Sequence, residues 1–60
     1  MSSRKVFTDE NGKELSYHIT SFGQLRIEIY TTDGTSIIDL DKKDALSFIQ
    51  ELNKLRKELQ

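Results

Sequence analysis

One histidine, His18, sits among carboxylates and hydroxyls whose types could support chemistry. An imidazole grouped with two carboxylates can hold a divalent transition metal and leave coordination positions open, and His18, Glu28 and Asp39 have that composition. The same residues, joined by Lys5, also read as an ordinary charged row across a solvated sheet face. That second reading is preferred, and no metal site is assigned. Ser16 lies two positions from His18 in one extended run, so the two side chains would leave the same face side by side. Nucleophilic catalysis asks for a base that reaches the hydroxyl and for oxyanion donors in an enclosed pocket. Neither is evident, so the chain is expected to be no enzyme, with no catalytic residue and no cofactor.

Aromatic and basic residues suggest binding instead. Phe7, Ser16, His18, Arg26, Tyr30 and Ile37 share one sheet face if the strands lie in the register that their turns imply, and they form the candidate binding row. An aromatic, a tyrosine and an isoleucine in one row make an apolar patch that water alone would not favour. Cross-strand pairs of this kind also stabilise a sheet while remaining solvated, by roughly 0.2–1 kcal/mol each. Phe7, Tyr30 and Phe22, with Arg4, Lys5, Arg26 and His18 nearby, could also stack single-stranded bases. Charge opposes that use, because up to Leu40 the bases Arg4, Lys5, Lys13 and Arg26 are outnumbered by Asp9, Glu10, Glu14, Glu28, Asp33 and Asp39. Counterion release on such a face would be small. The basic cluster Lys54, Arg56 and Lys57 reads as a solvated helix end.

These side chains must be positioned by very few elements. The chain has 60 residues, ten acids against nine bases, and no Cys, Pro or Trp, which fits one ordinary globular domain over 1–60. Lack of cysteine removes disulfides and thiolate sites and suits a reducing compartment, so a cytoplasmic location is expected. The start, Met1-Ser2-Ser3-Arg4-Lys5, leads into no apolar signal segment, and no apolar run reaches the roughly 18 residues of a membrane span. No membrane association is expected.

Asn11-Gly12 and Asp33-Gly34 are dipeptides suited to two-residue type I′ hairpins, and Phe22-Gly23-Gln24 marks a further break. Between them, alternating β-branched and polar residues predict strands near 4–9, 14–21, 25–32 and 35–39. With those loops Val6 faces Tyr17, Phe7 faces Ser16, Lys5 faces His18, and Ile29 faces Ile38. A three-residue middle loop pairs Ile19 with Ile27, while a five-residue loop shifts the pairs and keeps the faces. The inner face is then Val6, Leu15, Tyr17, Ile19, Leu25, Ile27, Ile29, Ile38 and Leu40.

From Asp41 the period becomes 3.6. Asp41 is a good N-cap, and Ala45, Phe48, Ile49, Leu52, Leu55 and Leu59 form one stripe of a helix near 42–59. The expected fold is α+β: a four-stranded antiparallel meander, order 1-2-3-4, with one C-terminal amphipathic helix on the inner face. In element order alone this resembles the PUR single-strand-binding domains, which pair as dimers. The likeness implies single-stranded nucleic-acid binding as the alternative function.

A chain this short, without disulfide or metal, needs another staple. A helix of about 27 Å overhangs a six-residue strand of about 20 Å, leaving Leu52, Leu55 and Leu59 as candidate dimer contacts. The expected function is therefore a small non-enzymatic interaction module, a homodimer that docks a protein partner.

Overall fold

A computed structural model describes residues 4–59, so the Met1-Ser2-Ser3 start lies outside the described residues. Four strands, β1 (Lys5–Thr8), β2 (Glu14–Ile19), β3 (Leu25–Thr31) and β4 (Gly34–Leu40), form one antiparallel sheet in the order 1-2-3-4. Helix α1 (Lys42–Leu55) follows, and a 3₁₀ turn, Arg56–Glu58, ends the described chain. The expected α+β meander with a C-terminal helix is the fold.

The helix begins where β4 stops because Asp41 is extended (φ −71°, ψ 176°) and its carboxylate accepts from the Asp44 amide at 2.9 Å. Its carbonyl meanwhile accepts the Ala45 amide at 2.8 Å, the first helical bond. This is an N-cap in which one side chain satisfies an amide that the helix cannot.

The loops are not the ones their Gly dipeptides predict. Among the described residues only glycines have positive φ, and a type I′ turn needs two such residues. In the first hairpin the Asp9 carboxylate accepts from the amides of Asn11 (2.9 Å) and Lys13 (2.8 Å). Asp9 N donates to Lys13 O at 2.9 Å, and Gly12 N donates to Asp9 O at 3.1 Å. The loop is thus Glu10-Asn11-Gly12, with Gly12 at φ +83° closing it. The second hairpin repeats the device. Thr20 Oγ1 accepts from Phe22 N and Gln24 N at 3.3 and 3.2 Å, and Gly23 takes φ +77°. That loop is Ser21-Phe22-Gly23. The third loop is Thr32-Asp33, between the paired residues Thr31 and Gly34.

Register follows from these loops. The β2–β3 and β3–β4 pairs each move by two positions, to Tyr17 with Ile27 and Ile27 with Ile38, which keeps every side chain on its expected face. The β1–β2 pairs move by one, and that reverses β1: Lys5 pairs with Tyr17, Val6 with Ser16 and Phe7 with Leu15. A one-residue slip exchanges the faces, so Phe7 belongs to the inner face and Val6 to the outer one, contrary to expectation. The Phe7 ring stacks on Tyr17, centroids 5.9 Å apart and planes 22° apart.

The helix lies on the inner side, but it does not close over the sheet. Phe7 on β1 and Ile38 on β4 are 66% and 54% exposed, and no apolar side chain is buried among the described residues. The chain's radius of gyration is 12.8 Å, against roughly 10 Å for a compact chain of this length.

Candidate interaction surfaces

The outer face of the sheet carries three cross-strand rows: Val6, Ser16, Glu28 and Ile37; His18, Arg26 and Asp39; and Thr8, Glu14, Tyr30 and Thr35. Of the candidate binding row, Ser16, His18, Arg26, Tyr30 and Ile37 are therefore together on this face, and Phe7 is on the opposite one. Lys5, expected beside His18, is also turned away.

Polar contacts tie down the centre of the outer face. The Tyr30 hydroxyl donates to the Glu28 carboxylate and accepts from Arg4 Nη2 at 2.6 Å, with the Arg4 guanidinium 5.5 Å from the ring centroid. Ser16 Oγ lies 3.4 Å from the same hydroxyl, and Ser16 is fully buried. Small and central, Ser16 lies in the middle of the four-strand row, where neighbouring side chains close over it.

Arg26 grips Asp39 with two bonds, Nε to Oδ1 at 2.8 Å and Nη2 to Oδ2 at 3.1 Å. The hydrogen bond from Arg26 holds the Asp39 carboxyl below its ordinary range against an opposing loss of hydration, and the charges of Arg26 and His18 add to the lowering. Arg26 is raised in turn, chiefly by the same bond. Arg26 also stands between His18 and Asp39 in the row, so the imidazole and that carboxylate are separated by a cation. His18 Nδ1 is buried without a hydrogen-bond partner among the described residues. No group of three His, Cys, Asp or Glu able to hold a metal ion occurs among those residues.

The inner side offers a different site. Phe7, Leu15, Tyr17, Leu25 and Ile27 of the sheet face Phe48, Ile49 and Leu52 of α1 across a cleft of about 470 Å³. Its lining draws on β1, β2, β3 and the helix. The Tyr17 hydroxyl is the one polar side-chain group among these eight residues. Phe7 is 66% exposed and Leu52 49%. Such exposure is unusual for inner-face residues, which ordinarily form a core.

No protein-family model matches the chain, and neither the curated proteins nor the solved structures contain a match to it.

Of the expected dimer contacts, Leu52 lines the cleft, while Leu55 and Leu59 lie further along the chain and are exposed. The cleft itself was not foreseen. Its signal is present in the sequence as an excess of apolar positions on the helix, since Leu46 lies off the stripe and is also exposed. Phe22, at the tip of the second hairpin, projects almost wholly into solvent. No helix among the described residues is long and apolar enough to cross a membrane.

Proposed function

We propose that this chain is a non-enzymatic interaction module that docks a protein surface through the apolar cleft between α1 and the inner face of its sheet. One observation carries the reading: a continuous apolar surface, contributed by three strands and the helix, is open where a domain of this class normally has its core. Exposed apolar patches of this kind mark sites where another macromolecule binds. The lining also supports the non-enzymatic part. Seven of the eight lining side chains have no group that can ionise or hydrogen-bond, so the cleft holds no proton-transfer or nucleophilic pair.

A nucleic-acid role on the outer face has less support. Phe7 is turned inward, the Tyr30 hydroxyl is held between Arg4 and Glu28, and Arg26 is neutralised by Asp39. Stacking platforms need accessible aromatic faces flanked by uncommitted cations. Fluorescence anisotropy with labelled oligonucleotides at low and physiological salt is expected to show no steeply salt-dependent binding.

The docking reading is tested by comparing what the native chain, Phe7→Asp and Ile37→Asp each retain from a cell extract. Proteins held by the native chain, further copies of the chain included, should be lost from Phe7→Asp, which places a charge in the cleft, and kept by Ile37→Asp, which changes only the outer face. The reverse pattern would refute the reading.

A further inference from the structure

Resting on that docking reading, we infer that the occupant of the cleft is a second copy of this chain, packed about a two-fold axis so that each α1 lies over the β1–β2 half of the other's sheet.

Width is the first reason. Four strands about 4.8 Å apart make a face roughly 19 Å wide, whereas a helix with its side chains is about 10 Å across. Among the described residues one α-helix is available to cover that face. Helix α1 meets that face across an open cleft lined by Phe7, Leu15, Tyr17, Leu25 and Ile27, and Phe7, at the β1 edge, is 66% exposed. About one further helix width is needed to cover the remainder.

The second reason lies in the helix. At about 100° per residue, Phe48, Leu52, Ala45, Ile49 and Leu46 spread over an arc of roughly 160°. Ser47, Gln50 and Glu51 occupy the remainder of those two turns. A helix resting on one sheet commonly shows an apolar stripe of about 100°. Phe48, Leu52, Ala45 and Ile49 make such a stripe, and Leu46 stands beyond it on the far side of Lys42 and Asn53. Leu46, Ile49 and Leu52 are all about half exposed, at 53%, 47% and 49%.

Area is the third. The chain exposes 5427 Å², against about 4,000 Å² for a compact monomer of 7.0 kDa. The excess, roughly 1,400 Å², exceeds the roughly 800 Å² that each partner contributes to a standard interface and falls within the range of obligate homodimers.

Taken together, each copy lacks one helix width of cover and presents one uncovered apolar helix edge, Leu46, Ile49 and Leu52. Two copies supply each other's need and leave nothing over, which is how an isologous contact closes at two. The chain's net charge of −1 sets up little repulsion between copies.

The test uses the cysteine-free sequence. A Phe7→Cys variant gives one thiol in the open strip, and its alkylation rate is followed from micromolar to millimolar chain while light scattering reports mass. A dimer is expected, with alkylation slowed about tenfold or more at high concentration, in step with the falling monomer fraction. In the native background Phe7→Asp should be monomeric and Ile37→Asp dimeric. A native chain that stays monomeric to millimolar concentration, with a rapidly alkylated thiol in the variant, would overturn the second copy while leaving the cleft open for another protein. A monomer with a protected thiol would mean that the chain's own helix closes the cleft, and would overturn the docking reading as well. A dimer whose thiol stays reactive would place the contact elsewhere and overturn this proposal. Because Phe7→Cys places a small uncharged side chain at an already exposed site, the thiol readout stands even if Phe7→Asp fails to fold.

Discussion

Replacing Asp9 by Ala removes both side-chain bonds that shape the first hairpin, those accepted from Asn11 N at 2.9 Å and Lys13 N at 2.8 Å. Both amides are exposed, so water replaces the lost acceptor and no buried group is orphaned. The loss then resembles that of a helix N-cap, about 0.5–2 kcal/mol, and the presence of two bonds puts it in the upper half, about 1–2 kcal/mol. For 60 residues an unfolding entropy near 2.1 cal/mol/K per residue converts each kcal/mol into about 8 °C, so the thermal midpoint should fall by roughly 8–16 °C. Circular dichroism melts at one fixed chain concentration measure this, since association would otherwise move the midpoint. Without Asp9, the Asn11-Gly12 dipeptide is also free to form the tighter two-residue turn. Contacts between the Phe7 and Tyr17 rings should then weaken in nuclear Overhauser spectra. An unchanged midpoint with intact ring contacts would refute the claim that Asp9 sets the loop and, through it, the face on which Phe7 lies.

Other outcomes follow from the same structure. Asp41→Ala removes the acceptor for Asp44 N and should cost about 1 kcal/mol, read from denaturant midpoints. Gly23→Ala places a Cβ at φ +77° with nothing within 4 Å, so the cost is conformational strain alone, about 1–2 kcal/mol; a neutral result would show that the backbone there relaxes. Asp39→Asn tests the outer-face ion pair through pH. The folded carboxyl is lowered by Arg26, so its stabilisation is present above the unfolded value near 3.9 and fades as pH falls through the folded value. The gap in stability between native and variant should hold steady at neutral pH and shrink below about pH 4. It should be small throughout, since an exposed pair is screened by solvent and salt. The raised Arg26 contributes below its unfolded value and loses that contribution only far into the alkaline range.

Strand order, the helix start and most of the faces were legible because each rests on a local rule. Alternation fixed the faces of β2, β3 and β4, and Asp41 marked the cap. The error in β1 came from reading Asn11-Gly12 as a complete turn signal. Asp9, three residues before Gly12, and Thr20, three residues before Gly23, carry the decisive acceptors, and their competition with type I′ geometry is visible only when side-chain bonds to loop amides are weighed. A shift of one residue in that loop was enough to empty the candidate binding row of Phe7 and to give the inner cleft its outermost aromatic. The open cleft was not legible for another reason. The stripe on α1 shows that the helix is amphipathic, but how much of the sheet one helix covers depends on the angle and position at which β4 delivers it.

The most direct measurement is an isotope-filtered nuclear Overhauser experiment on a mixture of labelled and unlabelled chains, which reports only contacts between copies. The ring protons of Phe7 and Tyr17 should show cross-peaks to the methyl groups of Leu46, Ile49 or Leu52 on the other copy. Filtered spectra without such peaks, or with peaks only from the outer-face residues Val6 and Ile37, would contradict a helix of one chain lying on the sheet of the other.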